Sequence, residues 1–456
     1  MNAVEKYLAR HAEPEAAAAL ALEGTFGHAL EIPAYGEGEA LFETLASVPA
    51  GPLGDILLVL VLNARADSPA SAHEANEQVR ARLNATAPPR ETVLSGDPAI
   101  SVRPLPRGTL VVIDRALPGR YLPEGQGVGL ARKIGCDFIL RLRSSGKLAS
   151  PWIHCTDADV RLPGDYFEQI SSVTSKPSTA AALYFFEHDV EPEEDLARAA
   201  RLYEISLRYY VLGLAWAGSP YAYHSMGSCL ALRDASYAAV RGFPRRNALE
   251  DFYVLNKLAK VGTIARLAGT PLRLKGRISD RVPISTGQAI GEMVAEGPRA
   301  RSRSLLYHPG VFAHLAAWLR VLAALARSGG KLEQAFGLLP RDNPFFRADL
   351  LEEALRKLGV FEAVREALVS SSDPVTLWRR LHGWFDAFRT LKLIHALRDG
   401  GLPSLHWRQA LAEAPFTSLT SSTAEDEEAL RKALAREERK LAATPAGVGA
   451  LELDQA

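Results

Sequence analysis

The chain has 456 residues, 47% hydrophobic and 23% charged, and its 53 basic and 53 acidic side chains cancel. That length favours two domains over one, and the even charge balance argues against a dedicated nucleic-acid binder, which would carry a basic face. Three widely spaced cysteines (Cys136, Cys155 and Cys229) are expected to make neither a disulfide framework nor a thiolate metal site, and a reducing cytoplasm is expected.

Residues 1–22 read as one or two helices. They have no cleavable signal pattern, because Glu13 and Glu15 precede the short alanine run. From about residue 28, short apolar runs alternate with helical patterns. Residues 28–35 and 55–64 read as buried strands with a helix over 38–48 between them. A third strand is expected at 108–116 and a fourth at 151–159, separated by a helix within 125–146. Residues 179–190 and 225–233 are further strand candidates on either side of a long helix from 195 to about 216. A helix from Leu249 ends at Gly262, and short strands follow near 263–267 and 271–278. Strands alternating with helices imply a largely parallel sheet covered on both faces.

From residue 311 to about 413 the pattern is helical throughout. Asp373-Pro374 starts a helix and Gly400-Gly401 ends it, and its aromatic stripe reads as core. No apolar run approaches the ~20 residues that cross a bilayer. The best candidate, from 311, carries His314 and Arg320 and reads as an amphipathic helix, so only peripheral membrane contact stays open. A charged helix and a loose tail close the chain. The expected domains are a helical extension (1–25), an α/β domain (26–300), an all-α domain (301–422) and a charged tail (423–456).

Three constellations carry candidate chemistry. In "WIHCTDADVRLPGDYF" a buried strand ends at Asp157 and Asp159. Alternate residues of an extended chain point the same way, and ligands bind beyond the carboxyl ends of parallel strands. Oxygen donors of this kind suit Mg2+ or Mn2+ together with substrate phosphates; the alternative is a solvated loop. In "NALEDFYVLNKLAKVG" the acids Glu250 and Asp251 open a helix, where they either complement its dipole or place a general base. In "EGQGVGLARKIG" the glycines do not follow a strand, so a dinucleotide loop is disfavoured. Arg132 and Lys133 there can reach a diphosphate or form an exposed basic turn. His154 reads as a core residue.

Taken together, these motifs resemble the family-2 group of GT-A glycosyltransferases over about residues 28–280. "EIPAYGEGEALFETLASV" resembles the opening strand and helix of that group, "GVGLARKIG" its G-x-x-x-A-R-N-x-G helix, and "WIHCTDADVRLPGDYF" its D-x-D strand. "GSCLALRDASYAAVRGFPRRNALEDFYVLNKLAKVG" resembles its acceptor-side segment. The resemblance implies a GT-A fold (nucleotide-diphospho-sugar transferase-like), with a mixed, mostly parallel sheet flanked by helices and followed here by an all-α C-terminal domain. It further implies metal-dependent transfer of a single sugar from a UDP- or GDP-linked donor to a hydroxyl acceptor, either a small molecule or lipid-linked. Asp157 and Asp159 would hold Mn2+ or Mg2+ and, with Ala158, the donor diphosphate. Asp251 would be the base of an inverting reaction, and Glu250 its neighbour. Pro33, Ala34, Tyr35, Glu37, Asn63 and Arg132 would line the nucleotide.

The chain departs from the pattern at Asn63, where the family places a nucleobase-binding Asp, and at Lys133, where it has Asn. There is no Q-x-x-R-W motif, which disfavours a processive polymerase. Arg277, Arg281 and the turn at Ser285–Gly287 either grip the phosphates of the nucleotide sugar or form a surface loop. His308 suggests an alternative, a retaining enzyme that completes its metal shell with a histidine. A degenerate transferase serving as a scaffold is the alternative from another class.

Overall fold

The structure is a computed structural model that describes residues 2–90, 94–97, 99–189, 193–279, 286–295, 305–330, 332–337, 339, 346–417 and 426–448. The chain divides into two compact units. The first comprises Met1–Val190, Ser225–Leu258 and Ala265–Gly291, and the second Glu191–His224, Ala259–Ile264 and Glu292–Ala456.

The first unit is a mixed α/β layer structure. Its strands are β1 (His28–Ala34), β2 (Ile56–Asn63), β3 (Ile100–Leu105), β4 (Gly108–Arg115), β5 (Trp152–Cys155), β6 (Val160–Arg161), β7 (Thr179–Leu183), β8 (Phe186–Asp189) and β9 (Leu230–Arg233). The main sheet has eight strands, with the strand Thr263–Arg266 at one edge followed by β7-β9-β5-β1-β2-β4-β3. Its centre, β5-β1-β2-β4, is parallel, and β9, β7 and β3 join antiparallel. β1 and β2 are buried at every residue, as expected of parallel strands covered on both faces. The strand Leu272–Lys275 joins β6 and β8 in a small second sheet.

The helices of this unit include α1 (Ala3–Arg10), α2 (Glu39–Ser47), α3 (Ala70–Thr86) and α4 (Val128–Ser144). α4 is buried along nearly its whole length against β1, β2 and β5. The expected α/β class and parallel sheet centre are found. β3 and α3 go beyond what the pattern predicts. β3, "ISVRPL", mixes Arg and Pro into its apolar run. α3 buries only Ala72, Asn76, Val79 and Leu83, so its apolar stripe is faint. Where one strand was expected over 179–190, residues 179–189 hold two strands in different sheets.

The second unit is helical. The helix Glu194–Trp216, expected within the α/β domain, belongs here, and the helix Glu427–Lys440 packs against it. The helix Pro309–Ser328 is long and apolar enough to cross a membrane by length and composition, but 83% of that stretch is buried inside the protein. Trp318 and His314 lie in this core. The single helix expected from 373 to 400 is two, Pro374–Trp384 and Ala387–Gly400. Asp386 causes the break: its side chain caps the second helix by accepting from the Arg389 backbone N–H at 3.2 Å.

Candidate active site

β1, β5, α4 and the helix α9 (Glu250–Val261) bring their charged residues to one place at the carboxyl ends of the central strands. The centre is Arg132, which is 1% exposed. Its guanidinium donates to Glu31 Oε2 on β1 at 3.3 Å, to Glu250 Oε1 on α9 at 3.1 Å, to the Thr156 carbonyl at 3.3 Å, and to Asp157 Oδ1 just past β5. Gly227 makes room for this group, since a Cβ there would stand 2.5 Å from Arg132 Nη2.

The glycines of "GQGVG" have a local purpose that is not dinucleotide binding. The N–H groups of Gly127 and Gly129 both donate to the Arg246 carbonyl, at 3.3 and 3.0 Å. A Cβ on Gly129 would lie 2.4 Å from the Pro244 carbonyl oxygen. The start of α4 is thereby docked on the turn that leads into Glu250. That turn ends at Leu249, a non-glycine residue with φ +62°. Such a left-handed residue costs of order 1 kcal/mol. It aims the first turn of α9, and so Glu250 and Asp251, in a direction a relaxed backbone would not take.

One guanidinium among several carboxylates leaves negative charge in excess. Burial, opposed by Arg132, pushes the Glu31 carboxyl up to about 8. Burial and the adjacent Glu250 push the half-buried Asp251 up to about 7. Glu250 is raised as well, again mainly by burial. Asp251 Oδ1 accepts from the Phe252 N–H at 2.7 Å. A carboxyl near neutrality beside a strained turn suits proton transfer at physiological pH.

Asp159 is partnered separately. Arg277 Nε donates to its Oδ2 at 2.9 Å, and Arg277 Nη2 reaches Glu37 Oε2 at 3.3 Å. The two aspartates of the D-x-D segment thus each meet an arginine, where the sequence suggested only a cation and a diphosphate. Carboxylate oxygens are hard donors of the kind that Mn2+ or Mg2+ takes together with phosphate oxygens and water.

The other expected residues are distributed as follows. Pro33 and Ala34 end β1, and Tyr35 follows, half-buried. Asn63 Nδ2 donates to the Ala34 carbonyl at 2.9 Å, which ties the end of β2 to the end of β1. Asn76 on α3 extends the clamp: it donates to the Asn63 carbonyl at 3.0 Å and accepts from the Gly36 N–H at 3.1 Å. Ala158 is buried. Lys133 departs from the expectation of a basic pair, because it is buried with Asp137 at 2.7 Å and Tyr7, on another side of α4 from Arg132. His308, in the second unit, is the N-cap of the helix Pro309–Ser328, and its Nδ1 accepts from the Gly310 N–H at 2.9 Å. Arg281 and Ser285 lie outside the described residues. His154 is buried in an aromatic cluster with its Nδ1 3.0 Å from the Tyr184 hydroxyl.

Two residues of the site, Glu31 and Asn76, escape the sequence reading. Glu31 left one signal: a carboxylate inside a strand buried at every position needs a cationic partner.

No protein-family model matches the chain, and no curated protein matches it. Among solved structures, it is similar to S. aureus TarS 1-349 in complex with UDP-GlcNAc, with 11% identity over 92% of this chain and 91% of that one, at a TM-score of 0.36. It is also similar to the mannosyltransferase PcManGT from Pyrobaculum calidifontis in complex with GDP-Man and Mn2+, with 16% identity over 87% of this chain and 94% of that one, at a TM-score of 0.31. Likeness of this degree carries no chemistry from those proteins to this chain.

Proposed function

We propose that the chain is a glycosyltransferase that moves a single sugar from a nucleoside-diphosphate sugar to a hydroxyl acceptor, with Asp251 as general base. The observation that carries this reading is the bridge made by Arg132. One guanidinium holds Asp157, at the donor end of the site, and Glu250, at the acceptor end, so the two motifs form one site. A divalent cation held by Asp157 and Asp159 would neutralise charge gathering on the departing diphosphate. Arg132 keeps the Asp157 carboxylate turned toward that place and carries positive charge beside it. Asp251 takes the proton of the acceptor hydroxyl as it attacks the anomeric carbon from the face opposite the leaving group, which inverts that centre. Burial prepares Asp251 for this, since a carboxyl raised toward 7 binds the proton far better than an ordinary aspartate. Tyr35 and the β1–β2 ends clamped by Asn63 and Asn76 supply the wall on which a nucleobase would lie.

The test combines binding and turnover. Thermal shift with UDP and GDP, with and without Mn2+, should show metal-dependent stabilisation of about 2.7 kcal/mol at a hundredfold excess over Kd. That stabilisation should vanish in Asp157→Ala. Asp251→Asn should keep nucleotide binding and lose about 100- to 10,000-fold in transfer. Turnover persisting in Asp251→Asn would remove Asp251 from the mechanism, and no response to any nucleotide would favour the scaffold reading.

A further inference from the structure

Beneath Arg132 three side chains from three elements converge on one buried point. Glu31 and Cys155 are register partners on the adjacent parallel strands β1 and β5, so both side chains leave the sheet on the same face. Cys136 meets them from α4, one turn after Arg132. Glu31 and both cysteines are fully buried, and one ligand atom from each lies within 4.8 Å of the other two. The helix comes close enough for this because residue 135 is glycine; a Cβ there would stand 2.5 Å from Glu31 Cγ.

Two details point to a ligand rather than to ordinary packing. The first is Glu31 Oε1, a buried oxygen with no hydrogen-bond partner among the described residues, while Oε2 is held by Arg132. Leaving such an atom unpaired is costly, and a bound ion removes that cost. The second is the spacing of the sulfurs, 3.6 Å apart, which serves an S–H···S hydrogen bond between the two thiols and also matches two donors to one ion. Two thiolates on one tetrahedral Zn2+, with Zn–S bonds of ~2.3 Å, stand about 3.8 Å apart, whereas a disulfide needs about 2.05 Å.

We propose that Glu31, Cys136 and Cys155 form a buried site for a thiophilic divalent cation, Zn2+, distinct from the aspartate pair above it. On binding, Zn2+ accepts one electron pair from each sulfur and one from Glu31 Oε1. The thiol protons, and any proton on Glu31, pass to solvent. Two thiolates and one carboxylate around Zn2+ leave one negative charge, which the guanidinium of Arg132 offsets at the other carboxylate oxygen. Hydrogen bonding of this kind to a ligating carboxylate strengthens a metal site. The ion would join β1, β5 and α4 directly under the residue that organises the candidate active site. Thiolate donors select Zn2+ over the Mg2+ or Mn2+ suited to Asp157 and Asp159.

The experiment uses the full chain expressed in zinc-supplemented medium, desalted and assayed for metal by mass spectrometry, alongside Cys136→Ser, Cys155→Ser and Asp157→Ala. The expected result is about one zinc per chain in the native protein and in Asp157→Ala, falling at least tenfold in each cysteine variant. To keep the test independent of folding in the cysteine variants, the native chain is also prepared with Co2+. Sulfur ligation then gives an intense thiolate-to-metal charge-transfer band, whatever the variants do. Native protein without zinc and without that band overturns the proposal. So does zinc that stays in the cysteine variants but leaves Asp157→Ala, and so does a native mass two units light from a Cys136–Cys155 disulfide.

Discussion

At the scale of single residues, the site is governed by one buried guanidinium facing three carboxylates. With Glu31, Asp157 and Glu250 all ionised, Arg132 leaves two negative charges unbalanced, and the structure answers by raising the affinity of neighbouring carboxyls for protons. Asp251 can accept a proton only as the carboxylate. Its folded pKa is raised, so transfer should rise with pH through about 7 and not near the ordinary aspartate value of 3.8. A kcat profile measured from pH 5 to 9 checks this. In Glu250→Gln one negative neighbour is gone, and the same limb should move to lower pH even as the rate falls. Arg132→Met should cost about 3–5 kcal/mol of stability in a denaturant titration, because it strands buried carboxylates without a counter-charge.

At the scale of elements, the docking of α4 on the 244–246 turn decides whether the two acidic motifs share a site. Gly129→Ala drives a methyl group into the Pro244 carbonyl. It should lower stability by about 1–3 kcal/mol and reduce transfer more than nucleotide binding, since the acceptor end is what moves. These contacts also explain what the sequence could and could not convey. Strands β1, β2 and β5, the helix α4 and the acids of α9 were legible because continuous apolar runs, helical spacing and carboxylates at element ends are local signals. The pairing of Arg132 with Glu31 spans 101 residues and that with Glu250 spans 118, so neither is written in any window of sequence. The direction of Lys133 is hidden for the same reason: its partner Tyr7 lies on α1, 126 residues away. α3 was missed because only Val79 and Leu83 of its buried face are large and apolar, and the break at Asp386 because a capping aspartate inside an amphipathic stripe looks like a solvated one.

At the scale of the whole molecule, two buried sets of titratable groups govern stability. In the first unit, His28 is 2% exposed, stacks on Phe167 with ring centroids 4.7 Å apart, and lies 5.7 Å from the ring of His154. Burial lowers its pKa to about 4 from 6.5. The unfolded chain therefore takes up a proton that the folded chain refuses, and stability should fall as pH drops from 6.5 to 4, by up to about 3 kcal/mol. Urea titrations at pH 7 and pH 5 should show this loss, reduced in His28→Leu. In the second unit, Arg208 is fully buried between Glu204, at 2.8 Å, and Glu438, and His224 lies 2.9 Å from Glu438. Arg208→Met should remove the cation between Glu204 and Glu438, leave Glu438 with His224 alone, and cost up to about 3–5 kcal/mol. Hydrogen exchange should show the lost protection in the helices Glu194–Trp216 and Glu427–Lys440.

That buried arginine also sets an order of events during synthesis. Arg208 and Glu438 are separated by 230 residues, so a ribosome extending the chain at ~5–20 residues per second exposes the first about 10–50 s before the second emerges. Through that interval Arg208 has only Glu204 of its own helix as a carboxylate partner, and the pair with Glu438 forms once the helix Glu427–Lys440 has emerged.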